Sequence, residues 1–231
     1  MGTIYLVRHG QASFGSANYD ELSELGWQQA QRLGRYWQQC ASPPRAGFRP
    51  RFEAVYTGTL TRQTQTWQGI ARGAGVSVDN AVQRSALNEY SVAAVIAAAH
   101  PGPLEKSRET EAYFKRLQAL RMGLTGWMQG NLAPQGLPTY ARFRHAVMAV
   151  LDEARTRHRG DVLVVTSAGP IAAVLAHLLH TPPAATAELN IAYRNAALTE
   201  LSFDRSGYRL MAFNALPHLQ SPEHRRWVTW I

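Results

Sequence analysis

Arg8 and His9 stand side by side directly after the apolar run Thr3–Val7, and a second arginine, Arg62, follows the segment YTGTLT. A histidine beside guanidinium groups is pushed toward its neutral form, because like charges oppose its protonation. A neutral imidazole offers a nucleophilic lone pair, and guanidinium groups grip phosphate oxygens through charge-assisted hydrogen bonds. Two more segments join this set: ALNEY, with Glu89, and VVTSAGP, with Ser167, Ala168 and Gly169. The second places a hydroxyl and backbone amides where a helix should begin, an arrangement suited to anions. Few ligands other than phosphate need a histidine, two arginines, a carboxylate, hydroxyls and a helix N-terminus together.

The elements that must position these residues are legible as patterns. TIYLV at 3–7 reads as a buried strand, followed by a polar loop to Asp20. LSELGWQQAQRLGRYW reads as a helix with Ser23 as its cap and Leu22, Leu25, Ala30, Leu33 and Trp37 on its apolar face. SPPRAGFRP breaks that helix and leads to a strand at 53–57, after which 60–72 is helical. A third strand is predicted near Val76 and Val78. Residues 91–158 read mainly as helices, broken at Pro101-Gly102-Pro103 and around 130–138. DVLVVT at 161–166 is the strongest strand, apolar enough to be covered on both faces. Pro170 opens a helix to Leu179, and ALTELSFD, the turn Arg205-Ser206-Gly207 and YRLMAF form a hairpin. Strand alternating with helix predicts an α/β fold, a three-layer αβα sandwich with a mostly parallel sheet. Such sheets take ligands beyond the carboxyl ends of their strands, where the chemical segments fall. One domain over 1–231 is expected, with a helical cap or insertion over roughly 91–138.

Composition narrows the partners. The chain has 231 residues, a net charge of +8, and only Lys106 and Lys115 as lysines, so its positive charge is almost all arginine. That balance favours anionic partners. The arginines are scattered, and no zinc-finger spacing or aromatic-basic stripe appears, which disfavours nucleic acid. No run of about 18 apolar residues is present to span a bilayer, and Met1–Val7 lacks the pattern of a signal peptide. The single Cys40 has no internal disulfide partner and there is no cysteine cluster, which fits a cytoplasmic address. His177 and His180 are three apart, but no carboxylate or cysteine stands at ligand spacing, so a structural or surface role is expected and no metal.

LVRHG at the end of the first strand resembles the histidine phosphatase superfamily, the clan of phosphoglycerate mutases and related phosphatases. YDELSELGWQQAQRLG, YTGTLTRQTQTW and VLVVTSAGPIAAVLAHLL resemble the corresponding family blocks, in family order. The resemblance spans most of the chain outside 91–140. It implies a phosphohistidine mechanism without metal or organic cofactor. His9 would be the nucleophile, Arg8 and Arg62 the phosphate clamp, and Glu89 the proton donor that later activates water. A bound phosphate should raise the Glu89 pKa. The amides of Ala168 and Gly169 would add anion contacts, and Gly10 would let the backbone approach the ligand.

Two departures stand out. Ser167 occupies the position where the family usually carries a second histidine. Losing one preorganised donor typically costs about 10²–10³ in rate, though a serine hydroxyl still donates one hydrogen bond. The 91–140 segment lacks a pair of adjacent arginines to grip a phosphoglycerate carboxylate, and Lys106, Arg108, Lys115, Arg116 and Arg121 follow helical spacing toward solvent. Hydrolysis of a phosphomonoester is therefore favoured over mutase chemistry. The alternative is a phosphate-binding regulatory or interaction protein with weakened catalysis. The expected partner is a small phosphorylated substrate or a phosphoprotein. Gln11 and Ser13 are further candidate phosphate contacts, against a default of loop hydrogen bonds. The tail RRWVTWI is able to dock on the domain, cap the site or support a homo-oligomer, and the sequence does not choose among these. His218 is left unassigned.

Overall fold

The computed structural model describes residues 2–13, 20–40, 52–79, 81–100, 102 and 110–230. Strands β1 (Gly2–Arg8), β2 (Phe52–Thr57), β3 (Val82–Gln83), β4 (Asp161–Thr166), β5 (Leu198–Asp204) and β6 (Gly207–Ala215) form one sheet in the order β3-β2-β4-β1-β5-β6. The pairs β1–β4, β2–β4 and β2–β3 are parallel, while β5 and β6 add an antiparallel edge. The hairpin edge makes the sheet mixed.

Period-two alternation explains why both faces are covered. Ile4 and Leu6 of β1, with Val162 and Val164 of β4, face one apolar cluster. Tyr5 and Val7, with Leu163 and Val165, face another. Helices α1 (Glu24–Cys40) and α2 (Thr61–Ala74) close the second cluster with Ala30, Leu33, Trp37, Trp67 and Ile70. The first cluster holds residues of α3 (Val92–Ala99), α4 (Thr110–Gln129), α5 (Tyr140–Arg157), α6 (Ala168–Leu179) and α7 (Pro183–Ile191), Trp127, Leu151 and Ile171 among them. This is the expected three-layer sandwich.

Ser23 caps α1 as expected, its Oγ accepting from Gly26 N at 3.1 Å. The helix pattern over 91–158 resolves into α3, α4 and α5, separated where the prolines and the 130–138 stretch lie. The strand expected near Val76 and Val78 is not there. Gly75 ends α2 in the left-handed region (φ 68°), and Val76 N closes back onto Ala71 O at 3.0 Å. Both valines remain exposed, and sheet pairing begins only at Val82. Exposed β-branched residues imitate a strand signal here, because propensity yields to the helix cap. Helix α7 went unread in the sequence. The segments at 14–19, 41–51 and 103–109, including the expected loop after the first strand, the SPPRAGFRP break, Lys106 and Arg108, lie outside the described residues. Lys115 is exposed, whereas Arg116 and Arg121 are half-buried, and Arg121 pairs with Glu188. Among the described residues, no helix is long and apolar enough to cross a membrane.

Candidate active site

Parallel pairing aligns the ends of β1 and β4, with Arg8 opposite Thr166. His9 follows immediately and its amide is held by Thr166 O at 2.9 Å, so the imidazole is set by the sheet rather than by a free loop. The next amide, Gly10 N, donates to Thr66 Oγ1 (3.0 Å), and that hydroxyl donates to Arg62 O (2.6 Å). One threonine on α2 therefore ties the histidine loop to the arginine-bearing turn. Gly10 lacks a side chain because Cβ would collide with the carbonyl of Gly26 at the start of α1. Close packing against α1 therefore requires glycine at this position.

His9 is 5% exposed. Its Nδ1 lies 2.7 Å from Gly10 O, an acceptor, so Nδ1 carries the proton. Nε2 then presents a lone pair, and Arg62 Nε donates to it at 3.2 Å. Burial, followed by the nearby charges of Arg8 and Arg62, holds the His9 pKa well below the ordinary histidine value. All of these favour a neutral, nucleophilic imidazole.

Arg62 is almost fully buried and its Nη1 is paired with Asp20 Oδ1 at 2.7 Å. Asp20 Oδ2 accepts from Thr61 N at 2.8 Å, so the carboxylate also holds the first amide of α2. Arg8 Nη1 donates to the carbonyls of Tyr193 and Trp230, the latter at 3.0 Å.

Glu89 sits in the turn after Ser85–Leu87, and its Oε2 accepts from Gly169 N in the first turn of α6 at 3.2 Å. Oε1 is shielded and makes no hydrogen bond within the protein. Burial raises the carboxyl pKa, opposed by the Gly169 amide and by Arg8 and Arg62. The rise thus exists before any phosphate binds. A Cβ on Gly169 would overlap Glu89 Oε1 and the Tyr90 ring, so glycine is required where the two segments meet.

Ser167 has 0% exposure, and its Oγ accepts from Gln63 Nε2 at 2.9 Å. Gln63, also 0% exposed, gives its second amide proton to Leu87 O at 2.9 Å. The Gly169 amide expected to meet an anion is engaged with Glu89, which leaves the Ala168 amide at the start of α6. Gln11 and Ser13 are drawn toward α1. Gln11 Oε1 accepts from Ser23 Oγ at 2.8 Å, and Ser13 N donates to Glu21 O at 2.8 Å. His177 and His180 are exposed at the far end of α6. Among the described residues, no group of three or more His, Cys, Asp or Glu side chains comes together.

Sequence reading missed Asp20, Gln63, Thr66 and Asn195. Asn195 Nδ2 donates to His9 O at 3.3 Å. Asp20 alone left a trace, as an acidic residue just before a helix cap.

Comparison with known proteins gives a family model, the histidine phosphatase superfamily (branch 1), which matches residues 4–216. No curated protein matches. Among solved structures, YhfR of Bacillus stearothermophilus is similar at 20% identity and a TM-score of 0.65, over 94% of this chain and 99% of that one. A phosphoserine phosphatase from Entamoeba histolytica, solved with phosphoserine, is similar at 16% identity and a TM-score of 0.61, over 95% and 100%. A phosphoglycerate mutase from Bacillus anthracis is similar at 18% identity and a TM-score of 0.60, over 94% of each chain. These three likenesses concern the fold.

Proposed function

Because the chain belongs to the histidine phosphatase superfamily, we propose that it hydrolyses a phosphomonoester through a phosphohistidine on His9. The observation that carries the reading is the His9 imidazole, whose Nδ1 faces Gly10 O, whose Nε2 accepts from the buried Arg62, and whose protonation is opposed by burial and by the charges of Arg8 and Arg62. On substrate binding, Arg62 trades Nε2 for a phosphoryl oxygen, and Arg8 and the Ala168 amide share the charge. Nε2 attacks phosphorus, the P–O bond to the leaving group breaks, and Glu89 gives its proton to the departing oxygen. Water then attacks phosphorus and yields a proton to Glu89. The P–N bond breaks, returning its electron pair to the imidazole and releasing inorganic phosphate.

The shifts set the pH profile. His9 must be neutral, so kcat/KM falls as pH drops through its lowered pKa. Glu89 must be protonated, so activity falls as pH rises through its raised pKa. The expected profile is a bell whose acid limb lies below ordinary histidine and whose alkaline limb lies above an ordinary carboxyl.

A single domain with a helical insertion over 91–138 belongs to the same proposal, supported by Val95 and Trp127 sharing one core with Ile4 and Leu6. So do a cytoplasmic location and a small phosphorylated molecule or phosphoprotein as substrate. The buried Ser167, where the family usually has histidine, favours a second reading: a phosphate-binding regulatory protein with weakened catalysis. A panel of phosphate monoesters separates the two. Release of phosphate from at least one ester, reduced at least ~10³-fold by His9→Ala and unaffected by chelators, supports the phosphatase. Binding of phosphate without turnover of any ester supports the regulator.

A further inference from the structure

The tail singled out in the sequence is bonded to the surroundings of His9 from three directions. Gln29, fully buried on α1, receives Gln11 N on its Oε1 at 2.9 Å. Its Nε2 donates to Trp227 O at 2.6 Å and to Thr229 Oγ1 at 3.0 Å. Asn195, 1% exposed, donates from its backbone N–H to Thr229 O at 2.8 Å, and its side-chain Oδ1 accepts from Thr229 Oγ1 at 3.0 Å. The same Asn195 side chain reaches His9 O. Arg8 Nη1, finally, meets Trp230 O.

We infer that Trp227–Trp230 is a working part of the phosphate site, with Thr229 as a positioning residue for Arg8 and His9. The Thr229 hydroxyl is a two-way link, accepting from Gln29 and donating to Asn195, and its backbone oxygen takes the Asn195 amide. Both partners are buried, so each link lost there leaves a polar group without water to replace it. The residue after Thr229 presents its carbonyl to Arg8. Together with Tyr193 O, that carbonyl occupies Nη1 from two separate segments and sets the plane of the guanidinium. The tail therefore acts on the reacting groups through Arg8 on one side and through Asn195 and the His9 carbonyl on the other. Its purpose rests on the phosphoryl-transfer reading, but the readouts below do not require turnover.

The test compares the full chain with Thr229→Val, which removes only the hydroxyl, Thr229→Ser, which keeps it, and a variant lacking residues 228–231. Inorganic phosphate affinity is measured by calorimetry, and the His9 imidazole is titrated by NMR, its resonance assigned with His9→Ala. Thr229→Val should weaken phosphate about tenfold, and removal of 228–231 should weaken it further. In both, the His9 pKa should move up toward its ordinary value, since Arg8 is released and the imidazole gains water. Thr229→Ser should restore both readouts. Folded Thr229→Val and shortened proteins with parental affinity and parental His9 titration would overturn the inference. So would equal losses in Thr229→Ser and Thr229→Val. A parent that binds phosphate and responds to these variants as stated, yet turns over no ester, would support the tail's role and defeat the phosphatase reading alone.

Discussion

Arg62 donates to Nε2 of His9 in the resting protein, so in the proposed mechanism its first task is to let go. The Asp20 carboxylate keeps the guanidinium in place through Nη1 while Nε changes partner, which makes the exchange a short rotation rather than a search. Ser167 sits in a tighter setting than its position in the sequence suggests. It has no exposed surface and shares its Oγ with a glutamine that also has none. A histidine at 167 would compete with that amide for space, and overpacking of this kind costs about 1–3 kcal/mol. Ser167→His alone is therefore expected to lower stability without raising kcat. Combined with Gln63→Ala, it should raise kcat roughly tenfold over Gln63→Ala alone, because an imidazole donor strengthens as charge develops on the phosphoryl group. A double-mutant cycle on kcat checks this. Additive effects would mean that Gln63 and Ser167 do not act as a unit. Arg8, His9, Arg62 and Glu89 could be found from sequence because each follows a strand end or a recognisable block. Gln63 could not, since a glutamine one residue past a helix-start arginine looks like any exposed helix polar group until packing buries it.

Helix α6 shows how an element sets the chemistry of a residue it does not contain. Its first turn supplies the Gly169 amide to Glu89, and the missing Cβ leaves room for the carboxyl and for Tyr90. Gly169→Ala should displace Glu89 while leaving α6 intact. We expect kcat to fall about 10²-fold, the lower end of what a general acid contributes, with loss of the alkaline limb of the pH profile. Unchanged kcat and an unchanged alkaline limb would show that Glu89 tolerates the shift. Elements built on strong local patterns were legible: β1 and β4 as unbroken apolar runs, α1 by its cap and apolar face, and the β5–β6 hairpin by its turn. Strand β3 was misplaced because its two residues are held by edge pairing with Tyr56 and Thr57, a tertiary cause without a local signature. The course of the tail was undecidable for the same reason. Its anchors, Gln29 and Asn195, are distant in sequence and individually unremarked.

At the scale of the whole molecule, two apolar clusters clamp one sheet and leave its carboxyl edge to the site. The turn Pro217–Leu219 carries His218 into the interior beside α1. This imidazole is 1% exposed and neither ring nitrogen has a hydrogen-bond partner. Burial, with smaller effects from Arg32 and His224, lowers its pKa to about 3. The unfolded chain takes up that proton near the ordinary histidine value, so the stabilising contribution is complete above that value. It is lost as pH falls toward about 3. His218→Leu should be close to neutral at about pH 8 and gain ~2 kcal/mol over the parent at about pH 5, read as a difference in Tm. An equal Tm difference at both pH values would contradict this. If the proposed phosphoryl transfer to one imidazole nitrogen takes place, it leaves a covalent intermediate that can be trapped. The protein is exposed to a labelled reactive phosphoryl donor, quenched in base and mapped by peptide. We expect an acid-labile, base-stable label on the peptide containing His9, absent from His9→Ala; label on a serine, or undiminished labelling of His9→Ala, would rule out a phosphohistidine at this position.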